Sequence, residues 1–78
     1  MTLKIISTTE VVFQGTVQSV QLPGAMGRFT VLNHHASLVS SLSPGKIMYR
    51  LDDGSEHEFD VKGGIADIDN NVVSVCIY

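Results

Sequence analysis

Turn-forming residues punctuate this sequence at close intervals, and between them the apolar residues mostly alternate with polar ones. In an extended chain, alternation places every second side chain on the same face, so this pattern predicts short β-strands. No stretch has the periodicity of an amphipathic helix. The chain is therefore expected to adopt an all-β fold. Its interruptions fall at Gly15, Pro23-Gly24, Gly27, Pro44-Gly45, Asp53-Gly54, Gly63-Gly64 and Asn70-Asn71.

The segments between these interruptions predict a series of strands that belong to one domain, residues 1–78. No internal repeat, linker or low-complexity segment divides the chain, so we expect a β-sandwich or flattened barrel of about 8–10 short, mainly antiparallel strands. The alternation changes phase between Val17 and Val20, which predicts a β-bulge near Gln18-Ser19. The predicted strands are residues 3–7, 11–13, 16–22, 28–32, 38–42, 46–51, 55–61, 64–69 and 72–78.

Charge and cysteine content exclude several classes of function. Five basic and eight acidic residues give a net charge of −3, and no cluster of Lys and Arg is present to bind nucleic acid. The single cysteine, Cys76, cannot form an internal disulfide, which favours a reducing cytosol. The N-terminal segment lacks both a signal-peptide core and the run of about 20 apolar residues that spans a bilayer. We expect membrane association only through a partner.

Charged residues predict the register of the hairpin formed by residues 46–61. A three-residue loop, Asp52-Asp53-Gly54 with Gly54 at positive φ, would gather charges on one face and apolar side chains on the other. A two-residue loop would instead place carboxylates opposite Tyr49 and Ile47. The three-residue loop pairs Arg50 with Glu56, Lys46 with Asp60, Tyr49 with His57, and Ile47 with Phe59.

The last hairpin, with its turn at Asn70-Asn71, predicts a second apolar inner face. Its pairs are Ile68 with Val73, Ala66 with Val75, and Gly64 with Ile77. The outer face is more apolar than a fully solvated pair of strands requires. Either a partner covers it, or its apolar residues are ordinary scattered surface residues. It carries Ile65, Val72, Cys76 and Tyr78 beside Asp67, Asp69 and Ser74.

None of the candidate motifs predicts catalysis, a cofactor or a metal site. The glycines at 24 and 27 are followed by a strand, whereas a phosphate loop needs a helix N-terminus or a lysine. His34 and His35 are adjacent, so on an extended chain they point to opposite faces and cannot bind one metal. The segment DDGSEHE lacks the spacing of a calcium loop. Cys76 and the serines have no base placed beside them.

A small carrier domain of the lipoyl or biotinyl type remains an alternative, because such domains have a similar size and strand content. The modified lysine of a carrier domain stands at a hairpin tip. Lys46 and Lys62 lack that setting.

An ordered set of short motifs resembles the epsilon subunit of F-type ATP synthases over the whole chain. The motifs are Phe13-x-Gly15-x-Val17-x-x-Val20, Leu22-Pro23-Gly24-x-x-Gly27, Val31-Leu32-x-x-His35-Ala36-x-Leu38, Pro44-Gly45, Gly63-Gly64-Ile65 and the closing NNVVSV. No single motif is decisive, but their order and spacing together are specific.

The resemblance implies a β-sandwich at the foot of the central stalk, with no active site of its own. One flank would bind the gamma subunit, and a loop would rest on the membrane rotor (c) ring. The subunit would help couple proton-driven rotation of the ring to gamma, and so to ATP synthesis elsewhere in the complex. Such a subunit is peripheral, on the cytoplasmic face of the inner (plasma) membrane, and reaches the membrane only through the ring.

Position by position, the resemblance also implies two sets of contact residues. Arg28 is the best candidate to meet acidic or carbonyl groups on the ring. The ring-facing loop would be Gly24, Ala25, Met26, Gly27, Arg28 and Phe29. The gamma-facing residues implied in this way are Ser7, His35 and Ser40. The apolar residues of the outer face, Ile65, Val72, Cys76 and Tyr78, are expected to contact gamma or, in longer relatives, the helical hairpin.

The sequence departs from the family pattern at several positions. Asn33 and Ser37 stand where proline is frequent, which predicts a more mobile loop, and Thr30 stands where glycine is common. The chain stops at Tyr78, before the helical hairpin of most members, so we expect neither inhibition by that hairpin nor nucleotide binding.

Overall fold

Eight β-strands and no helix make up the computed structural model, which describes residues 1–78. The strand count lies within the range predicted from the sequence. The strands are β1 (Thr2–Ile6), β2 (Val11–Gly24), β3 (Gly27–Leu32), β4 (Leu38–Leu42), β5 (Gly45–Leu51), β6 (Glu56–Val61), β7 (Gly64–Asp69) and β8 (Val72–Ile77).

The long strand β2 joins two groups of strands into a β-sandwich. Its first half pairs with β1, which is followed across the sheet by β8, β7 and β4. Its second half pairs with β3 on one side and with β5 on the other, and β6 lies beyond β5. All pairs are antiparallel except β1 with β8, which are parallel.

The prediction of two strands at 11–13 and 16–22 is wrong, because β2 continues through Gly15 and Pro23 to Gly24. Gly15 pairs with Leu3 in the ladder. A Cβ at Gly15 would lie 3.1 Å from Cζ of Phe13. This glycine therefore makes room for an aromatic ring instead of forming a turn.

Strand β2 must bend, because its 14 residues would extend about 46 Å at about 3.3 Å per residue. The longest dimension of the whole chain is 28 Å. The register against β5 shifts between Val17 and Ser19, so one residue is left over at Gln18. This bulge confirms the prediction made from the change of phase.

Both predicted hairpin registers are confirmed. In the β5–β6 hairpin, Arg50 lies opposite Glu56 and Tyr49 lies opposite His57, and Gly54 has φ of 88°. In the β7–β8 hairpin, Ala66 lies opposite Val75. The two-residue turn Asn70-Asn71 has positive φ at both positions, as expected of a turn that follows the twist of its strands.

The inner faces of the strands form one apolar core, and no polar or charged residue is buried. Gly64 allows close packing beside this core. A Cβ at Gly64 would collide with the carbonyl oxygen of Cys76 and lie 3.1 Å from Cα of Ile77. The core consists of Met1, Leu3, Ile5, Val17, Val20, Leu22, Val31, Leu42, Ile47, Val61, Ala66, Ile68, Val73 and Val75.

Candidate docking surfaces

The turn between β2 and β3, which we call the tip, consists of residues 24–27. Gly24 pairs with Gly27, so Ala25 and Met26 form a two-residue turn, and Gly27 has φ of 128°. The Met26 side chain is fully exposed, at 101% of its reference area. The tip thus presents an apolar side chain at a position where polar turn residues are common.

Backbone hydrogen bonds fasten the tip to the segment that contains β4. The Ala25 N–H donates to the Ser41 carbonyl at 2.8 Å, and the Ser43 N–H donates to the Pro23 carbonyl at 2.8 Å. Gly24 is buried, and a Cβ there would lie 2.8 Å from the Phe29 ring. Phe29 itself is half-buried and packs against the core.

Arg28 does not extend beyond the tip, although the resemblance implies that it meets the ring. Its Nη1 donates to the Lys46 carbonyl at 2.7 Å, and its Nε donates to Oε1 of Gln21 at 3.2 Å. The side chain therefore lies across β2 and reaches β5. Of the six ring-facing residues, Ala25 and Met26 occupy the two turn positions, where their side chains are exposed.

The second surface is the outward side of β1, β8, β7 and β4. Cys76 lies directly opposite Ile65, and on its other side β1 places Ile6 beside it. Directly paired residues of neighbouring strands share a face, so these three side chains form an apolar row. We call this surface the outer apolar face after its apolar residues, which are Ile6, Val39, Ile65, Val72, Cys76 and Tyr78. Lys4, Asp67 and Asp69 share its outward side.

Exposure distinguishes this face from the core. Ile65 is 53% exposed and Val39 is 67% exposed. Val72 lies on the same face near the Asn70-Asn71 turn, whereas Tyr78 follows the far end of β8 and covers Gly63. Sequence reasoning missed Ile6 and Val39, because their place on this face depends on which strands flank β8 and β7.

Ser7, His35 and Ser40 lie outside the outer apolar face. The Ser7 hydroxyl accepts hydrogen bonds from the N–H groups of Thr9 and Glu10, at 3.4 and 3.2 Å, so it closes the β1–β2 turn. Ser40 is half-buried and pairs with Ala66, on the inward side of β4. The structure therefore separates these residues from the apolar four of the gamma-facing set.

His35 is half-buried in the loop before β4, where its Nδ1 lies 2.7 Å from the Ala36 carbonyl. This loop and the Asn70-Asn71 turn line a shallow cleft of about 470 Å³. Hydrogen bonds join its two sides, from the His34 N–H to Oδ1 of Asn71 at 2.8 Å and from the Ser37 hydroxyl to Oδ1 of Asp69 at 2.6 Å.

Among the remaining charged residues, the pKa of one carboxyl group, Asp53, departs from its ordinary value. The Ser55 hydroxyl donates to Oδ1 of Asp53 at 2.6 Å, and the Ser55 N–H donates to the same oxygen at 2.9 Å. These hydrogen bonds, the hydroxyl bond most of all, hold the pKa of this exposed carboxyl below its usual range. No group of three His, Cys, Asp or Glu side chains converges as a metal ion would require. No helix suited to crossing a bilayer is present.

Neither lysine of the carrier alternative stands at a hairpin tip. Lys46 lies within β5 and forms an ion pair with Glu58 at 3.8 Å. Lys62 lies between β6 and β7, which do not pair with each other.

Comparison with known proteins gives one consistent family. The family model described as ATP synthase, Delta/Epsilon chain, beta-sandwich domain matches residues 1–77. The ATP synthase epsilon chain of Chlorobaculum tepidum is 39% identical over 70 residues, which are 90% of this chain and 80% of that one. The epsilon chain of a Nitratiruptor species is 37% identical over 75 residues, which cover 96% of this chain but only 58% of the relative.

Two solved structures share the fold. A chain in the cryo-EM structure of the Euglena gracilis mitochondrial ATP synthase, described as OSCP/F1/c-ring, superposes with a TM-score of 0.91 at 23% identity, covering 96% of this chain and 48% of that one. A chain in the central stalk/c-ring structure of the Tetrahymena thermophila enzyme gives 0.80 at 14% identity, covering 97% and 61%.

Proposed function

This chain belongs to the ATP synthase delta/epsilon chain family through its beta-sandwich domain, and from that membership we propose that it is a non-catalytic rotor component. It docks on the gamma subunit and on the membrane rotor ring in the central stalk of an F-type ATP synthase. Its task is to couple proton-driven rotation of the ring to gamma, and so to ATP synthesis elsewhere in the complex. It lies peripherally at the cytoplasmic face of the inner (plasma) membrane.

The outer apolar face is the observation that carries this proposal. Ile6, Cys76 and Ile65 form an apolar row across three adjacent strands. On the fourth strand, the exposed Val39 lies one row away, opposite Asp67. The central part of a protein interface is depleted of charge and rich in apolar contact. The gamma subunit is the partner assigned to this face.

The tip is the second contact, and the rotor ring is assigned to it. The tip is separate from the outer apolar face in composition, because it offers one apolar side chain and backbone groups on a fastened turn. A chain with two different docking features suits a part that links two neighbours.

The packing of the sandwich suits a part that bears load. The core contains no buried polar residue, and strand β2 pairs with β1, β3, β4 and β5. Close-packed interiors have low compressibility, so force applied at one surface is transmitted through packed side chains.

A pair of matched charge insertions tests the gamma assignment. Ile65 and Leu32 are 53% and 59% exposed and lie on opposite outward faces. Ile65→Asp should lower the free energy of unfolding by about 1 kcal/mol or less but reduce affinity for gamma at least about tenfold, since a desolvated unpaired charge is costly. Leu32→Asp should leave gamma binding unchanged.

The measurement is retention of gamma during co-purification, together with thermal melting of each variant. Full retention of gamma by Ile65→Asp would contradict the assignment. Loss of gamma in both variants at unchanged melting temperature would show that the contact is not confined to the outer apolar face.

A further inference from the structure

We propose that Arg28 is a positioning residue, which ties the β2–β3 hairpin to β5 and leaves the contact with the rotor ring to Ala25 and Met26. This inference rests on the proposed function, because it concerns how the tip meets the ring. It replaces the direct ring contact that the family resemblance implies for Arg28.

The hydrogen bonds of Arg28 connect β3 with β5, two strands that do not pair with each other. Strand β3 pairs only with β2, and β5 pairs with β2 and β6. The guanidinium crosses β2, donating to Gln21 on the way and to the Lys46 carbonyl on β5. A planar guanidinium holds two acceptors in fixed directions at once, which a lysine ammonium on a flexible stem does not reproduce.

The opposite side of the hairpin is fastened independently. There the Ala25 N–H bonds to Ser41, and the Ser43 N–H bonds to Pro23. The tip is therefore held from β5 on one side and from the β4 segment on the other. A turn held in this way loses little conformational entropy when it binds, so more of the contact energy appears as affinity.

What remains free at the tip is apolar. Met26 is fully exposed, Ala25 is exposed beside it, and residues 24–27 include no ionisable side chain. An unbranched, polarisable methionine side chain fits irregular apolar gaps, such as a gap between adjacent loops of the ring. Because no charge takes part, ring binding through the tip should vary little with salt concentration.

Amide hydrogen exchange of the 78-residue chain tests the tie without the ring. In Arg28→Gln, the Ala25 and Ser43 amides should exchange about fivefold faster, since a charge-assisted hydrogen bond to a backbone carbonyl is lost. Thr30→Ala is the matched control, because Thr30 is exposed on the same strand and makes no side-chain hydrogen bond. It should leave both amides unchanged.

A double-mutant cycle in the complex with gamma and the membrane rotor ring tests the positioning role. Met26→Ala should weaken ring association about tenfold and Arg28→Gln about fivefold, while gamma affinity stays constant. If Arg28 acts through the tip, Arg28→Gln added to Met26→Ala should weaken association less than twofold further. Arg28→Lys should behave like Arg28→Gln, because charge alone does not restore the two-acceptor contact.

Three results would overturn the inference in different ways. Unchanged exchange in Arg28→Gln would show that the tie does not hold the tip. Additive effects in the cycle, or full ring binding by Arg28→Lys, would show that Arg28 contacts the ring through its charge. Faster exchange with no loss of ring association in any variant would instead refute the assignment of the ring to the tip, and with it that part of the proposed function.

Discussion

The two outward faces of this sandwich differ in the side chains that are most numerous on them, although both contain an antiparallel hairpin. The outward side of β5 and β6 bears Lys46 and Arg50 facing Glu56, Glu58 and Asp60, and we call it the charged face. The outer apolar face has Cys76 and Ile65 at equivalent places in its own hairpin. Both hairpins alternate equally well, so the inner faces alone do not account for the difference.

The charged face contains ion pairs between its own side chains. Arg50 and Glu56 form an ion pair at 3.4 Å, and the acidic side chains lie on β6, which has a free edge. Charges on an edge strand prevent unwanted pairing with other strands. The apolar side chains of the outer apolar face remain exposed in the isolated chain, and this contrast supports the proposal that a partner covers that face.

The largest expected effect comes from the close approach inside the apolar hairpin. Gly64→Ala should lower the free energy of unfolding by about 2–4 kcal/mol, because the new Cβ collides with the β8 backbone. Gly54→Ala in the charged hairpin should cost about 1–2 kcal/mol, for positive φ alone, since nothing lies within 4 Å of its Cβ position. Chemical denaturation measures the free energy of unfolding of both variants. Equal losses would show that the collision at Gly64 adds nothing to the cost of positive φ.

The next effect concerns Ile6, which joins the apolar face only through the parallel pairing of β1 with β8. Ile6→Ser should weaken gamma binding about tenfold if the interface crosses β1. Lys4→Ser on the same strand and the same outward side is the control, and it should change gamma binding less than Ile6→Ser. Calorimetric titration with gamma compares them; equal affinities of the Ile6→Ser variant and the original chain would confine the interface to β7 and β8.

A smaller effect is expected on the charged face. The coupling energy between Arg50 and Glu56 should be about 0.5 kcal/mol or less and should fall with added salt, because both side chains are about half-exposed. A double-mutant cycle with alanine at each position, measured by urea denaturation, gives this value. A coupling well above 1 kcal/mol would mean that the charged face contributes more to folding than its exposure suggests.

The smallest effect concerns Asp53, at the end of the charged hairpin. The folded pKa of Asp53 is lowered, so its hydrogen bonds stabilise the fold at pH values above its unfolded pKa, and this contribution is lost as the pH falls through the folded pKa. Ser55→Ala removes the hydroxyl donor and should raise the pKa of Asp53 towards its ordinary value. NMR titration of the Asp53 carboxyl carbon measures the change; an unshifted midpoint would contradict the hydrogen-bond explanation.

Features that depend on one hairpin could be predicted from the sequence. Arg50 opposite Glu56 and Ala66 opposite Val75 follow from alternation and charge, because a one-residue slip would exchange the two faces. The bulge near Gln18 also followed from a local change of phase. Local patterns therefore determined register correctly.

Features that depend on contacts between distant segments could not be predicted from the sequence. Gly15 resembles a break in the sequence, but the Phe13 ring occupies the space that a side chain would take. Ile6 joins the apolar face through a parallel pairing between the two ends of the chain. Arg28 bonds to Lys46 only because β2 brings β3 and β5 to its two sides. None of these contacts can be predicted from the local alternation of polar and apolar residues.

The continuity of β2 from Val11 to Gly24 has a mechanical consequence. In the proposed rotor, a push on Ala25 and Met26 enters the same unbroken polypeptide that is laddered to β1 at its other end. The β1 ladder, from Thr16 to Val11, would share that load among several backbone hydrogen bonds. In the proposed rotor, force from the tip would reach that ladder without crossing a loop.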